Sequence, residues 1–182
     1  CHFVSCLQSQ NWYSNQVRRG TWRSTLALSG GGQLNDSGSH LLDIVLWITN
    51  LQPAEVFAFI DNLGSEVDIL TAMSVRFDGG ALANFSVVGH SVNWLEDITF
   101  WCDKGTLAVR GSEVWRWTGG EERQIVPPEE LGRTWSPDEN FIAAIRGEEE
   151  IQAPPECGLK VIQLTEAAWR SGATGQKVQV IR

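Results

Sequence analysis

A succession of β-type segments fills the middle of the chain and constrains its fold most strongly. Apolar residues alternate with polar ones between residues 54 and 126, and short turns separate the segments. The dipeptide Asp78 and Gly79 is typical of a hairpin turn. Because consecutive strands joined by tight turns pair antiparallel, we predict a broad antiparallel sheet. Its strands cover residues 54–61, 68–77, 81–90, 97–102, 106–110, 113–118 and 123–126.

The flanking segments predict helices and two more strands. The sequence predicts strands at residues 2–8 and 177–181, a loop at 11–29, and helices after the glycine triplet to Asn50, from Ser136 to Gly147 and over 155–171. Ser136 is typical of a helix N-cap, since Pro and two acidic residues follow it. We therefore expect an α+β fold, with an open, predominantly antiparallel sheet and helices on one face. At 182 residues, a single domain spanning 1–182 is expected.

Composition narrows the functional class. The net charge is -8, and no basic run is longer than Arg18 and Arg19, so nucleic acid is an unsuitable partner. No apolar stretch has the length of a membrane span, about 18 residues or more, so we expect no membrane partner either. The first ten residues lack the features of a signal peptide, which predicts a cytoplasmic protein. The four cysteines show no paired metal-binding spacing.

The segment after the glycine triplet carries an unusual row of polar side chains. Asp36, His40, Asp43 and Trp47 are spaced four, three and four residues apart, which places them on one stripe of a single helix. A neighbouring stripe is predicted to be buried, formed by Leu41, Ile44, Val45 and Ile48. A carboxylate one turn before an imidazole can orient the ring for general acid–base chemistry. The same pattern also fits a solvated helix face or hard ligands around a metal ion, although we assign no metal.

The glycine triplet at residues 30–32 allows two interpretations. It matches neither phosphate-binding glycine pattern, so this chain has no dinucleotide fingerprint of its own. One interpretation is a hinge at which the backbone passes close to a neighbouring segment. The other is an open first helical turn whose N–H groups a substrate can approach.

Residues 30–47 follow the pattern G-G-G-x-L-x-D-x-G-x-H-x-x-D-x-x-x-W. This stretch resembles one found in the glucose–fructose oxidoreductase / inositol dehydrogenase (Gfo/Idh/MocA) family. Trp22 and Arg23 resemble a pair that precedes it there, and residues 140–147 and 166–175 resemble the closing helices. The resemblance implies a glyceraldehyde-3-phosphate-dehydrogenase-like C-terminal domain. One face of its sheet often forms a dimer or tetramer interface, and a Rossmann domain that binds NAD or NADP precedes it.

The resemblance also implies roles for individual residues. Asp36 and His40 occupy the positions of the family's catalytic Asp and His. His40 would exchange a proton with a substrate hydroxyl, and Asp36 would assist it. Trp22 and Arg23 would lie near the substrate, a sugar, cyclitol or related polyol. The resemblance identifies no cofactor-binding residue in this chain.

Two parts of the family pattern are missing from this sequence. It contains neither the G-x-G-x-x-G loop nor the Glu-Lys-Pro motif with the family's catalytic lysine. Since hydride chemistry needs the nicotinamide that the absent half would hold, we expect the isolated chain to be inactive and to bind no cofactor alone. Two alternatives are a redox-inactive binding or scaffold module and an NAD-dependent glycosidase-type relative.

Overall fold

One mixed sheet organises the chain. The computed structural model describes residues 1–120, 122–132 and 134–181. Within them, nine strands form a single sheet in the order β8-β7-β6-β5-β1-β4-β3-β2-β9. The strands are β1 (Phe3–Ser9), β2 (Pro53–Asp61), β3 (Leu70–Phe77), β4 (Leu82–Val88), β5 (Leu95–Cys102), β6 (Gly105–Arg110), β7 (Glu113–Trp117), β8 (Gln124–Ile125) and β9 (Val178–Gln179). Every expected strand is present within a few residues at each end, and the α+β fold is confirmed.

The position of β1 departs from the expected pairing. β4 and β5 follow each other in sequence, but they are not neighbours, because β1 lies between them. β1 is parallel to β4 and antiparallel to β5, so that Phe3 pairs with Leu82 on one side and Trp101 on the other. The Phe3 and Trp101 rings meet edge to face with centroids 5.6 Å apart. Residues 89–94 are long enough to cross the end of β1 without a tight turn.

The helices lie on one face of the sheet, as expected. They are α1 (Leu26–Ser29), α2 (Gln33–Asp36), α3 (Gly38–Thr49), α4 (Pro137–Ile145) and α5 (Pro155–Thr174). α3 and α5 pack against the sheet with Leu41, Leu42, Val45, Leu46, Val161, Leu164, Ala167 and Ala168. Ser136 caps α4 through a reciprocal pair of hydrogen bonds with Glu139. Across the part of the chain that the structure describes, no helix has both the length and the apolar character needed to cross a membrane.

Two local expectations are wrong. Ile48 was expected in the buried stripe of α3, but it is half exposed, because α3 turns Leu42 and Leu46 toward the sheet instead. The expected loop at 11–29 contains a π-helical turn (Tyr13–Val17), a 3₁₀ turn (Trp22–Ser24) and α1. These turns are too short to show an apolar period, and a buried Trp12 holds the segment to the rest of the molecule.

Asp68 binds the backbone where the glycine triplet ends and α2 begins. Asp68 Oδ1 accepts hydrogen bonds from Gly32 N at 2.9 Å and from Trp169 Nε1 at 3.0 Å, and Oδ2 accepts one from Leu34 N at 2.7 Å. The backbone oxygen of Asp68 accepts another from Gln33 N at 2.8 Å. The glycine triplet therefore lets the backbone at Gly32 pass close to the backbone of Asp68. The idea that the N–H groups at the start of the helix are open to a substrate is wrong, because those of Gly32, Gln33 and Leu34 all donate to Asp68.

We expect Gly32→Ala to lower the free energy of unfolding by about 1–3 kcal/mol or more, as overpacking does. A Cβ atom at Gly32 would lie 2.0 Å from the backbone oxygen of Asp68, so the backbone must move. The matched control is Gly158→Ala in α5, where a Cβ meets no atom within 4 Å and alanine favours the helix. Urea denaturation of both variants checks this. Equal midpoints for the two variants would contradict the close approach.

Candidate active site

Asp36 lies at the centre of a cluster of aromatic and basic side chains. Its Oδ2 accepts a hydrogen bond from Trp12 Nε1 at 2.7 Å, and its Oδ1 accepts one from Arg23 Nε at 3.3 Å. The guanidinium carbon of Arg23 lies 4.5 Å from the centre of the Trp22 ring. The structure thus brings together three of the four residues singled out from the sequence, Asp36, Arg23 and Trp22. Trp12 is an additional member that the sequence did not reveal.

His40 is adjacent to this cluster in sequence but is not bonded to it. Its ring is exposed and has no hydrogen bond with any residue that the structure describes. The expected single helix is interrupted, since α2 ends at Asp36 and α3 begins at Gly38. His40 N donates to the backbone oxygen of Ser37 at 3.2 Å, while Ser39 Oγ donates to that of Asp36 at 2.7 Å. Asp36 therefore binds Trp12 and Arg23 with its carboxylate, and it does not orient the His40 ring by a hydrogen bond.

The junction between α2 and α3 lies directly on the sheet. Gln8 of β1 is 1% exposed, and its Nε2 donates to the backbone oxygen of Ser37 at 3.3 Å and to Glu96 Oε2 at 3.2 Å. Gly38 permits this approach, since a Cβ there would lie 3.3 Å from Cγ1 of Val87. Gln8 and Glu96 therefore fix the backbone that precedes His40. Only Gly38 was visible in the sequence motif, because Gln8 and Glu96 are distant from it along the chain.

The remaining polar members of the motif face other parts of the molecule. Trp47 Nε1 donates to the backbone oxygen of Gln152 at 2.6 Å and so links α3 to the segment before α5. Asp43 Oδ1 is buried and has no hydrogen-bond partner among the residues described. Trp47 thus contributes to the packing of the helices.

Other candidate groups carry no evident chemistry. Burial raises the pKa of the Cys6 thiol well above its usual range, and the nearby charges of Glu96 and Asp97 raise it further, so Cys6 is no nucleophile. His90 is exposed and stacks on the Tyr13 ring with centroids 5.0 Å apart. Within residues 1–120, 122–132 and 134–181, no group of three His, Cys, Asp or Glu side chains is arranged to hold a metal ion.

Solved structures share this fold. A putative oxidoreductase from Thermotoga maritima superposes with a TM-score of 0.81 at 19% identity, over 98% of this chain and 55% of that one. Aldose–aldose oxidoreductase from Caulobacter crescentus, complexed with glycerol, gives 0.79 at 22% identity, over 98% and 55%. Levoglucosan dehydrogenase, complexed with NADH and levoglucosan, gives 0.83 at 17% identity, over 100% and 59%. The chain thus spans little more than half the length of these proteins.

The sequence comparisons match one protein family. No curated protein sequence matches the chain significantly. The family model of the GFO/IDH/MocA C-terminal domain matches residues 2–108, which is more than half of the chain and includes β1 to β5, α3 and the Asp36 cluster. The chain therefore belongs to the GFO/IDH/MocA oxidoreductase family and corresponds to its C-terminal domain.

Proposed function

We propose that this chain is a single substrate-binding domain, over residues 1–182, of an NAD(P)-dependent oxidoreductase that acts on a sugar, cyclitol or related polyol. The observation that carries this proposal is the exposed imidazole of His40, four residues after a carboxylate that holds Arg23 against the ring of Trp22. The similarity of fold supports this proposal, since aldose–aldose oxidoreductase and levoglucosan dehydrogenase have the same fold.

The roles of the side chains follow from their contacts. Oxidation of an alcohol removes a proton from oxygen and a hydride from carbon. The His40 ring has both nitrogens unbonded within the described structure, so it can take that proton as a general base. Arg23 and Trp22 offer N–H donors and an aromatic face to a hydroxylated ring. Asp36 acts on the substrate through Arg23.

The start of α2 does not fit the phosphates of a dinucleotide. Phosphate binding at a helix start needs free backbone N–H groups, but those of Gly32, Gln33 and Leu34 all donate to Asp68. We therefore propose that a nicotinamide cofactor is bound by a separate dinucleotide-binding domain. The isolated chain is then expected to be inactive.

We expect this chain alone to give no change in NAD(P)H absorbance at 340 nm with a panel of sugars and cyclitols. In the protein joined to its dinucleotide-binding domain, His40→Ala should lower kcat by about 100- to 10,000-fold, the usual contribution of a general base. The matched control is His90→Ala, which removes an exposed histidine outside the Asp36 cluster. Clear turnover by the isolated chain would refute its inactivity, and full turnover by His40→Ala would refute the role of His40.

We also propose that the chain forms homo-oligomers, dimers or tetramers, through the face of the sheet that carries no helices. Phe57 and Phe59 of β2 point away from the helices and contact each other at 5.0 Å between centroids. Phe59 is 70% exposed and Trp101 on β5 is 41% exposed, so this face presents exposed aromatic side chains among the polar residues of the strands between them. Surface of this kind is stabilised when a second copy covers it.

Phe59→Lys should shift the protein to monomers, because a charge buried by a second copy must be desolvated. Phe141→Lys is the matched control, since Phe141 is 68% exposed on α4, on the helical side of the molecule. Sedimentation velocity at several concentrations measures both variants. A monomeric parent protein, or equal dissociation of the two variants, would contradict this interface.

A further inference from the structure

Arg23 has hydrogen-bond donors that the protein does not use. Its Nε donates to Asp36 Oδ1, and its two Nη groups have no hydrogen-bond partner among the described residues. The side chain is 40% exposed, so these N–H groups reach solvent. A guanidinium bound only through Nε presents the flat, two-pronged edge that binds an oxyanion with two parallel hydrogen bonds.

The guanidinium is held in place from two directions. Trp12, which is 2% exposed, fixes Asp36 by a 2.7 Å hydrogen bond, and Asp36 fixes Nε of Arg23. The Trp22 ring lies against the guanidinium plane with 4.5 Å between the guanidinium carbon and the ring centre. Because few rotamers remain to be lost on binding, a ligand gains more from each hydrogen bond.

The local charge also favours an anion. The chain as a whole carries a net charge of -8, but residues 12–29 contain Arg18, Arg19 and Arg23 and no acidic residue. Asp36 offsets one of these charges. Arg23 is the member of this group that contacts the Asp36 cluster, and its Nη edge, which Asp36 leaves unpaired, favours an anion over a neutral molecule.

We propose that the two Nη groups of Arg23 bind a carboxylate of the substrate, so that the substrate is a sugar acid and not a neutral polyol. This inference rests on the proposed function, because it names the class of substrate for the same site. The carboxylate lies in the plane of the guanidinium, and the exposed part of Trp22 packs against the C–H groups of the sugar ring. A phosphate of the cofactor offers the same oxyanion chemistry, and the experiment separates these two sources.

The test titrates the ¹⁵N-labelled chain with D-glucuronate, D-glucose and AMP, and follows the indole N–H signals of Trp12 and Trp22 by NMR. We expect glucuronate to bind at least about tenfold more tightly than glucose, from two charge-assisted hydrogen bonds. Arg23→Met should abolish this preference, and Arg23→Lys should keep part of it, since lysine retains the charge without the planar fork. Arg19→Met is the control and should bind as the parent does.

The remaining outcomes contradict the carboxylate assignment, the substrate-binding function or the source of the anion. If glucose and glucuronate bind equally, the carboxylate assignment is wrong and the proposed polyol function stands. If neither sugar shifts the indole signals, the substrate-binding function itself is wrong. If AMP binds more tightly than glucuronate and Arg23→Met removes that binding, the anion belongs to the cofactor and the sugar-acid assignment fails. Unchanged spectra of the free variants elsewhere in the chain verify that they fold.

Discussion

The carboxylate of Asp68 joins three parts of the molecule that are far apart in sequence. It accepts hydrogen bonds from the backbone of Gly32 and Leu34 at the start of α2 and from the indole of Trp169 in α5. Trp169 in turn leaves no room for a side chain on Gly31, where a Cβ would lie 2.4 Å from the indole ring. The start of α2, and with it the position of Asp36, is set by this one buried group.

A second set of hydrogen bonds links these buried groups to side chains at the surface. Trp12 holds Asp36 and Asp36 holds Arg23, while Gln8 holds the turn at Ser37 that leads to His40. An acidic residue beside a histidine is usually taken as a catalytic pair, but here both oxygens of the carboxylate bind other donors. Asp36 is therefore a positioning group for a cation, and the imidazole is left free.

The sequence predicted the features that depend on neighbouring residues. The strands, the cap at Ser136 and the end of α3 at Asn50 follow from local alternation, capping and a left-handed residue. It could not predict the insertion of β1, because its pairing with β4 and β5 depends on residues about 80 to 100 positions away. For the same reason the motif revealed Asp36 but neither Trp12 nor Gln8. Those contacts become visible only once the sheet is assembled.

Groups with and without hydrogen-bond partners are distributed differently between the interior and the surface of this domain. The groups that determine geometry are buried and bonded, namely Asp68, Trp12 and the Nε2 of Gln8. The groups that face outward, His40 and the Nη atoms of Arg23, are solvated and so cost little in the absence of a partner. Binding at Arg23 then replaces water at a guanidinium that Asp36 and Trp22 already hold. A ligand at this surface therefore breaks none of the buried hydrogen bonds of Asp68, Trp12 and Gln8, so binding there does not cost the domain its internal contacts.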